Sequence, residues 1–165
     1  MCREIRKASD LLFECTPVSM AEAATLLPIL RDAEEGDERI QATFLDPACV
    51  AYAARVDGLL IGAAVVRWDE HEGSEILYIA VIAEQRGKGY GKRIIAALQA
   101  ELAARSGRAL LVGTANSSLE NIAFYQKCGF RMFAIRRDYF AYIQPPLQEH
   151  GIIMRDMIVL CYERA

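Results

Sequence analysis

Glu75-Ile76-Leu77-Tyr78-Ile79-Ala80-Val81-Ile82 runs almost without a polar residue, and Arg86-Gly87-Lys88-Gly89-Tyr90-Gly91 follows it closely. The first stretch predicts a strand buried on both faces. The second opens a helix over Tyr90 to Ala104, with Ile94, Ile95, Leu98 and Leu102 as its apolar stripe. Three glycines at alternate positions let the chain turn tightly and let a ligand approach the backbone. A helix start also offers free N–H groups and the positive end of the helix dipole. Arg86, Lys88, Lys92 and Arg93 add cationic charge. The turn therefore reads as an anion site of the kind that holds phosphates.

Two common phosphate loops fit it poorly. A Walker A loop needs Ser or Thr after Gly-Lys, and here Gly91-Lys92 is followed by Arg93. A dinucleotide fingerprint belongs in the first unit of a parallel sheet. This turn lies mid-chain, and the third glycine position is held by Lys92. A turn with no ligand would crowd cations without a counter-charge.

Upstream, Val50 to Val56 and Leu59 to Trp68 predict two strands, and Asp57-Gly58 between them is a hairpin signal. Asp69 to Gly73 is a polar turn. Residues 19–35 carry Ala23, Leu26, Leu27 and Leu30 at helical spacing, and Pro28 should kink or split that helix. Glu34-Glu35-Gly36-Asp37-Glu38 suits either a solvated loop or a rim that attracts a basic substrate. Downstream, Gly107 is a plausible helix end, and Leu110 to Gly113 is a short strand. Ser118 to Lys127 is a helix capped by Ser117 or Ser118 and stopped at Gly129. Phe130 to Arg136 is a strand, residues 137–150 a long loop, and Ile152 to Cys161 a last strand. This order gives an α/β (α+β) domain with a mixed sheet and flanking helices.

A length of 165 residues fits one domain over 1–165, large enough for a core without metal or disulfide support. With 53% hydrophobic and 25% charged residues, the composition is that of a soluble globular protein. A net charge of -3 argues against a nucleic-acid partner. The five cysteines, Cys2, Cys15, Cys49, Cys128 and Cys161, form no CxxC pair, and the two histidines are His71 and His150. No metal site is expected from this set. The cysteines read as reduced and mostly buried, which suggests a cytoplasmic location. Met1 to Asp10 lacks the apolar stretch of a signal peptide, and no apolar run is long enough to predict a membrane span.

A second motif extends the reading. Asn121-Ile122-Ala123-Phe124-Tyr125-Gln126-Lys127-Cys128-Gly129-Phe130 closely resembles the second signature of the GNAT superfamily of N-acetyltransferases. The Arg86 to Gly91 segment resembles that family's Arg-x-x-Gly-x-Gly signature, in the family order and at the family spacing. The resemblance covers roughly residues 45–136, and more loosely the whole chain. The segments Cys128 to Arg131 and Arg155-Asp156-Met157 look like a bacterial subgroup of uncharacterised members.

The resemblance implies a GNAT-like, mostly antiparallel central sheet of about six or seven strands. It also implies direct transfer of acetyl from acetyl-CoA to a primary amine of a small molecule, peptide or protein. The pyrophosphate should meet Arg86, Gly87, Lys88, Gly89, Tyr90, Gly91 and Lys92, with pantetheine beside the backbone of Ile79 and Val81. Glu75 is the candidate general base, since an amine must lose a proton before it attacks. Tyr125 matches the family tyrosine that donates to the departing thiolate. Where the family usually carries asparagine this chain has Ser118, and Asn121 stands at the usual alanine position. The pantetheine contact on this helix thus falls to Asn116, Ser118 or Asn121, with Ser118 or Asn116 favoured.

The acceptor is expected at residues 19–45 and 137–150. Asp32, Glu34, Glu35 and Asp138, with Tyr139, Phe140 and Tyr142, suit either a cation site or the rim of a homodimer. A CoA-binding sensor domain without transferase activity is the competing function. Cys128 reads as packing rather than nucleophile, because no histidine is near it in sequence.

Overall fold

The computed structural model describes residues 11–34, 36–69 and 73–164. Met1 to Asp10, Glu35 and the middle of the predicted turn at Asp69 to Gly73, with His71, lie outside the described residues. In chain order the elements are β1 (Phe13–Pro17), α1 (Met20–Ala23), α2 (Leu27–Leu30), α3 (Asp37–Leu45), β2 (Cys49–Val56), β3 (Leu59–Arg67) and β4 (Ser74–Val81). They continue with α4 (Tyr90–Ala104), β5 (Ala109–Ala115), α5 (Leu119–Lys127), β6 (Arg131–Arg136), β7 (Gln148–Glu149), β8 (Ile152–Ile153) and β9 (Met157–Glu163). Seven strands form one sheet in the order β1-β2-β3-β4-β5-β9-β6, and β7 pairs with β8 apart from it. The sheet is mixed and mostly antiparallel, as expected. β1 runs antiparallel to β2, and β9 antiparallel to both β5 and β6. β4 is parallel to β5, over Ser74 to Ile76.

The described residues fall into two compact units interleaved along the chain. The first takes those of Met1–Val66 with Tyr78–Ala97. Its core is built from Leu26, Leu30, Ile40, Ala53, Val65 and Ile94. Burying each of the larger side chains contributes about 1.5–3 kcal/mol. Asp57 and Gly58 both adopt left-handed backbone, with φ of 48° and 81°, as the tight Asp-Gly turn between β2 and β3 requires. Pro28 does split the first helix: α1 gives way to a 3-10 turn over Ala24–Leu26, and Pro28 opens α2. In β3 a Cβ on Gly62 would lie 2.8 Å from the Ala80 carbonyl, so glycine lets β3 approach the end of β4.

The second unit takes Arg67–Leu77 with Leu98–Ala165. Leu98, Leu102, Leu110, Val112, Phe130 and Leu160 are buried in it. Helix α4 ends with Ser106, not Gly107, in the left-handed conformation, at φ 59°. Gly107 is needed instead for space, because a Cβ there would meet Leu102 Cδ1 at 2.5 Å. The expected last strand from Ile152 to Cys161 is in fact two. Asn116 Oδ1 accepts from the amides of Arg155 and Asp156, at 2.9 and 3.0 Å, and removes both from any ladder. Ile152–Ile153 pairs back on Gln148–Glu149, inside what the sequence reads as loop. β1 and α3 are further elements that hydrophobic periodicity does not announce.

Candidate functional site

In the first unit, the segment from β4 to α4 carries the candidate anion site. A 3-10 turn over Ala83–Gln85 delivers the chain to Arg86. Gly87 and Gly89 then take φ of 74° and 84°, a conformation that L side chains rarely adopt. A Cβ at either position would meet no described residue within 4 Å, so backbone conformation is what calls for glycine, and the lip is open among the described residues. The first amides of an α-helix have no partner within the helix, and in α4 the Arg93 amide donates to the Gly89 carbonyl at 3.2 Å. Lys88 and Lys92 are exposed. Lys88 Nζ donates to Gln85 Oε1 at 2.9 Å. Tyr90 stacks on Phe13, with ring centroids 6.3 Å apart, and the Arg93 guanidinium lies 4.4 Å over the same Phe13 ring. β1 thus steadies the first turn of α4.

Arg86 does not point freely into this lip. Its Nε donates to the Val81 carbonyl at 2.9 Å, and its Nη2 to Asp32 Oδ2 at 2.5 Å. The carbonyl at the end of β4 is therefore engaged from within the unit. Two other acids of this region are paired as well, while Glu38 is exposed. Asp37 holds Arg31 through two bonds of 2.7 and 2.6 Å, and Glu34 faces Arg39 at 3.8 Å. Within the acidic break, Glu34 and Asp37 are thus held in local ion pairs.

In the second unit, α5 carries Tyr125. The signature around it has a mechanical reason. Gly129 is left-handed at φ 91°, its amide donates to the Gln126 carbonyl, and the Phe130 amide donates to the Tyr125 carbonyl. This is a Schellman end, and its usual apolar contact is made by Phe130 against Tyr125, with centroids 5.8 Å apart. Phe124 touches Tyr125 from the other side. Tyr125 is 6% exposed. Burial, and secondarily the nearby Cys128, push its hydroxyl well above the ordinary tyrosine range, so it stays a proton donor.

Glu75, at the start of β4, gives both oxygens to Arg136 on β6. Nη1 donates to Oε1 at 2.8 Å and Nη2 to Oε2 at 3.2 Å. Nη1 also contacts Met157 Sδ at 3.5 Å. Met157 fits because position 113 is glycine, where a Cβ would lie 2.3 Å from that sulfur. The carboxylate beside Arg136 holds the guanidinium firmly in its charged form. Sequence reasoning misses Arg136, because 61 positions separate it from Glu75 and it belongs to no motif.

The model of the acetyltransferase (GNAT) family matches residues 11–130. This chain belongs to the GNAT acetyltransferase family. It is 34% identical to an uncharacterized N-acetyltransferase of Bacillus subtilis, YvbK, over 66% of this chain and 71% of that one. Among solved structures it is similar to an IAA acetyltransferase from Bacillus cereus, at 31% identity and TM-score 0.82, over 93% of this chain and 100% of the other. It is also similar to a GNAT acetyltransferase from Elizabethkingia anophelis with acetyl-CoA bound, at 30% identity and TM-score 0.83, over 92% and 98% of the two chains.

Within this GNAT acetyltransferase, the three candidate pantetheine contacts separate clearly. The Asn116 amide nitrogen donates to the Ile153 carbonyl at 3.0 Å, and its oxygen holds the two amides described above. The Ser117 and Ser118 hydroxyls both donate to Glu149 Oε2, at 3.0 and 2.6 Å, and Ser118 holds the N-cap position of α5 without a side-chain cap bond. The preference for Asn116 or Ser118 therefore meets two side chains already engaged. Asn121 is exposed on α5. His150 Nε2 lies 2.9 Å from Glu120 Oε2, which anchors the β7–β8 turn on the same helix. Asp138 faces Arg155 at 3.4 Å, so it too is partnered. The four described cysteines are free thiols, and of these Cys161 is buried while Cys15, Cys49 and Cys128 are half-buried. No helix among the described residues is long and apolar enough to cross a membrane.

Proposed function

We propose that this GNAT acetyltransferase moves the acetyl group of acetyl-CoA directly to a primary amine of a small molecule or peptide, with the chain working as one transferase domain. The observation that carries the reading is the open, glycine-built lip at Gly87 and Gly89 ahead of α4. The acetyl-CoA held by the Elizabethkingia anophelis relative supports it. Here the amides from Gly87 to Lys92 receive the pyrophosphate, and Arg86, Lys88 and Lys92 supply positive charge. Pantetheine runs along the backbone of Ile79 and Val81.

In the transfer, the amine nitrogen attacks the thioester carbon, a C–N bond forms and the C–S bond breaks. Glu75 receives the amine proton, directly or through water. Tyr125 gives a proton to the leaving thiolate, a role suited to a hydroxyl that burial keeps protonated. The reading is tested by two measurements. Acetyl-CoA should raise the Tm of the protein, and thiol should be released when amines are supplied with acetyl-CoA. An unchanged Tm at saturating acetyl-CoA would sink the reading.

A further inference from the structure

Glu75 and Arg136 form a pair whose remaining hydrogen-bonding capacity has a definite shape. Arg136 uses its Nη1 and Nη2 on the two Glu75 oxygens, and Nη1 again on Met157 Sδ. A guanidinium has five N–H donors. Its Nε edge, with the second hydrogen of Nη2, is engaged by no partner among the described residues. That edge is the side-on fork that matches a carboxylate. The Arg136 side chain is 40% exposed, so a small molecule can reach it. Glu75, at 19%, is mostly covered, yet a carboxylate has about four acceptor sites and Arg136 occupies two.

The pair is also neutral as a unit. It offers no net attraction to a polycation. One guanidinium edge and part of one carboxylate stay open side by side. A ligand complementary to both carries an ammonium and a carboxylate close together.

We infer that the Glu75–Arg136 pair selects an acceptor bearing a carboxylate beside its amine, an α-amino acid or a compound of the same zwitterionic form. The carboxylate docks on the Nε edge of Arg136, and the ammonium lies against Glu75. One ammonium proton passes to Glu75, the neutral nitrogen takes the acetyl carbon, and the CoA sulfur leaves and is protonated. The second ammonium proton passes to water as the tetrahedral adduct collapses to the neutral amide and its C–S bond breaks. Arg136 keeps its hold on Glu75 throughout, so the base remains placed while the acceptor binds. This inference rests on the transferase reading above, with Glu75 as base.

The test compares kcat/KM for L-phenylalanine, L-methionine, L-leucine and L-glutamate with that for the α-amide of each, and with spermidine. In the wild-type protein the acids should be favoured by roughly tenfold to a hundredfold, the range of a charged hydrogen bond. Arg136→Gln should bring the acid-to-amide ratio close to one, and Arg136→Lys, which keeps charge but loses the fork, should leave an intermediate ratio. A merely structural role for Arg136 would lower all rates together and leave the ratio intact. The inference is overturned if amides match or exceed acids, if spermidine is the better acceptor, or if the ratio survives Arg136→Gln. It is overturned equally if acetyl-CoA stabilises the protein and no amino acid is acetylated. Failure of acetyl-CoA to stabilise the protein instead removes the transferase reading beneath it.

Discussion

The Arg86 guanidinium is shared between Asp32, at 2.5 Å, and the Val81 carbonyl, at 2.9 Å. An arginine next to the anion lip is thus held by an acid from the turn after α2. Under the proposed function, a pyrophosphate arriving at Gly87 competes with Asp32 for that charge. Asp32→Asn should therefore tighten acetyl-CoA binding, by up to about fivefold, the range of an exposed ion pair. Calorimetric titration with acetyl-CoA checks this. Weaker binding in the variant would mean that Asp32 serves the site by orienting Arg86.

Tyr125→Phe should lower kcat on the order of a hundredfold or more while acetyl-CoA affinity stays close to wild type. Full turnover in the variant would remove the proton-donor role. The same residue leaves a mark on stability. Burial raises its pKa in the folded state above the ordinary tyrosine value of about 10, so the native protein binds that proton more tightly than the unfolded chain does. Its contribution is complete below that pH and is lost as pH climbs beyond it. Urea unfolding as a function of pH should show a steeper alkaline loss in wild type than in Tyr125→Phe.

Gly89→Ala separates backbone conformation from crowding. At φ 84° with no atom within 4 Å of the added carbon, the substitution meets strain but no clash. Alanine there costs about 1–2 kcal/mol if the loop keeps its shape, or the loop relaxes and its amides turn away. Either way acetyl-CoA affinity should fall, and circular dichroism should show an unchanged fold. Undiminished affinity would argue that the lip does not receive the phosphates.

Burial in β1 pushes the Cys15 thiol up to about 11. Thiolate is the form that reacts. At pH 8.5, iodoacetamide should therefore modify Cys15 roughly a hundredfold more slowly in the native protein than in urea. Peptide mapping by mass spectrometry measures the two rates. Equal rates would place Cys15 in solvent.

The parts of this fold that are legible in the sequence are those that repeat a local rule. The α4 stripe of Ile94, Ile95, Leu98 and Leu102 is buried throughout, and Asp57-Gly58 makes the turn it predicts. Gly129-Phe130 ends α5 because a left-handed residue and an apolar contact suffice. Illegible elements lack such a rule. β1, Phe-Glu-Cys-Thr-Pro, is short and has one proline among its five residues. α3 opens on Asp37 and Glu38, so its start looks like the tail of an acidic loop. At the site, residue types were readable and their partners were not. Asp32 meets Arg86 from 54 positions away, and Glu75 meets Arg136 from 61. No window of sequence displays such distances, so an acid that looks available can already be neutralised.

Glu149 bears on any attempt to re-engineer this protein. Its carboxylate holds the hydroxyls of Ser117 and Ser118 at the start of the helix that carries Tyr125, and it sits in the segment where acceptor preference is sought. The segment is not a detachable cassette. A loop transplanted from a relative with a different acceptor would have to bring its own carboxylate to that spot, or the recipient would need both serines changed with it. Swaps that ignore this would alter chemistry and specificity together, and their kinetics would misreport which residues choose the acceptor.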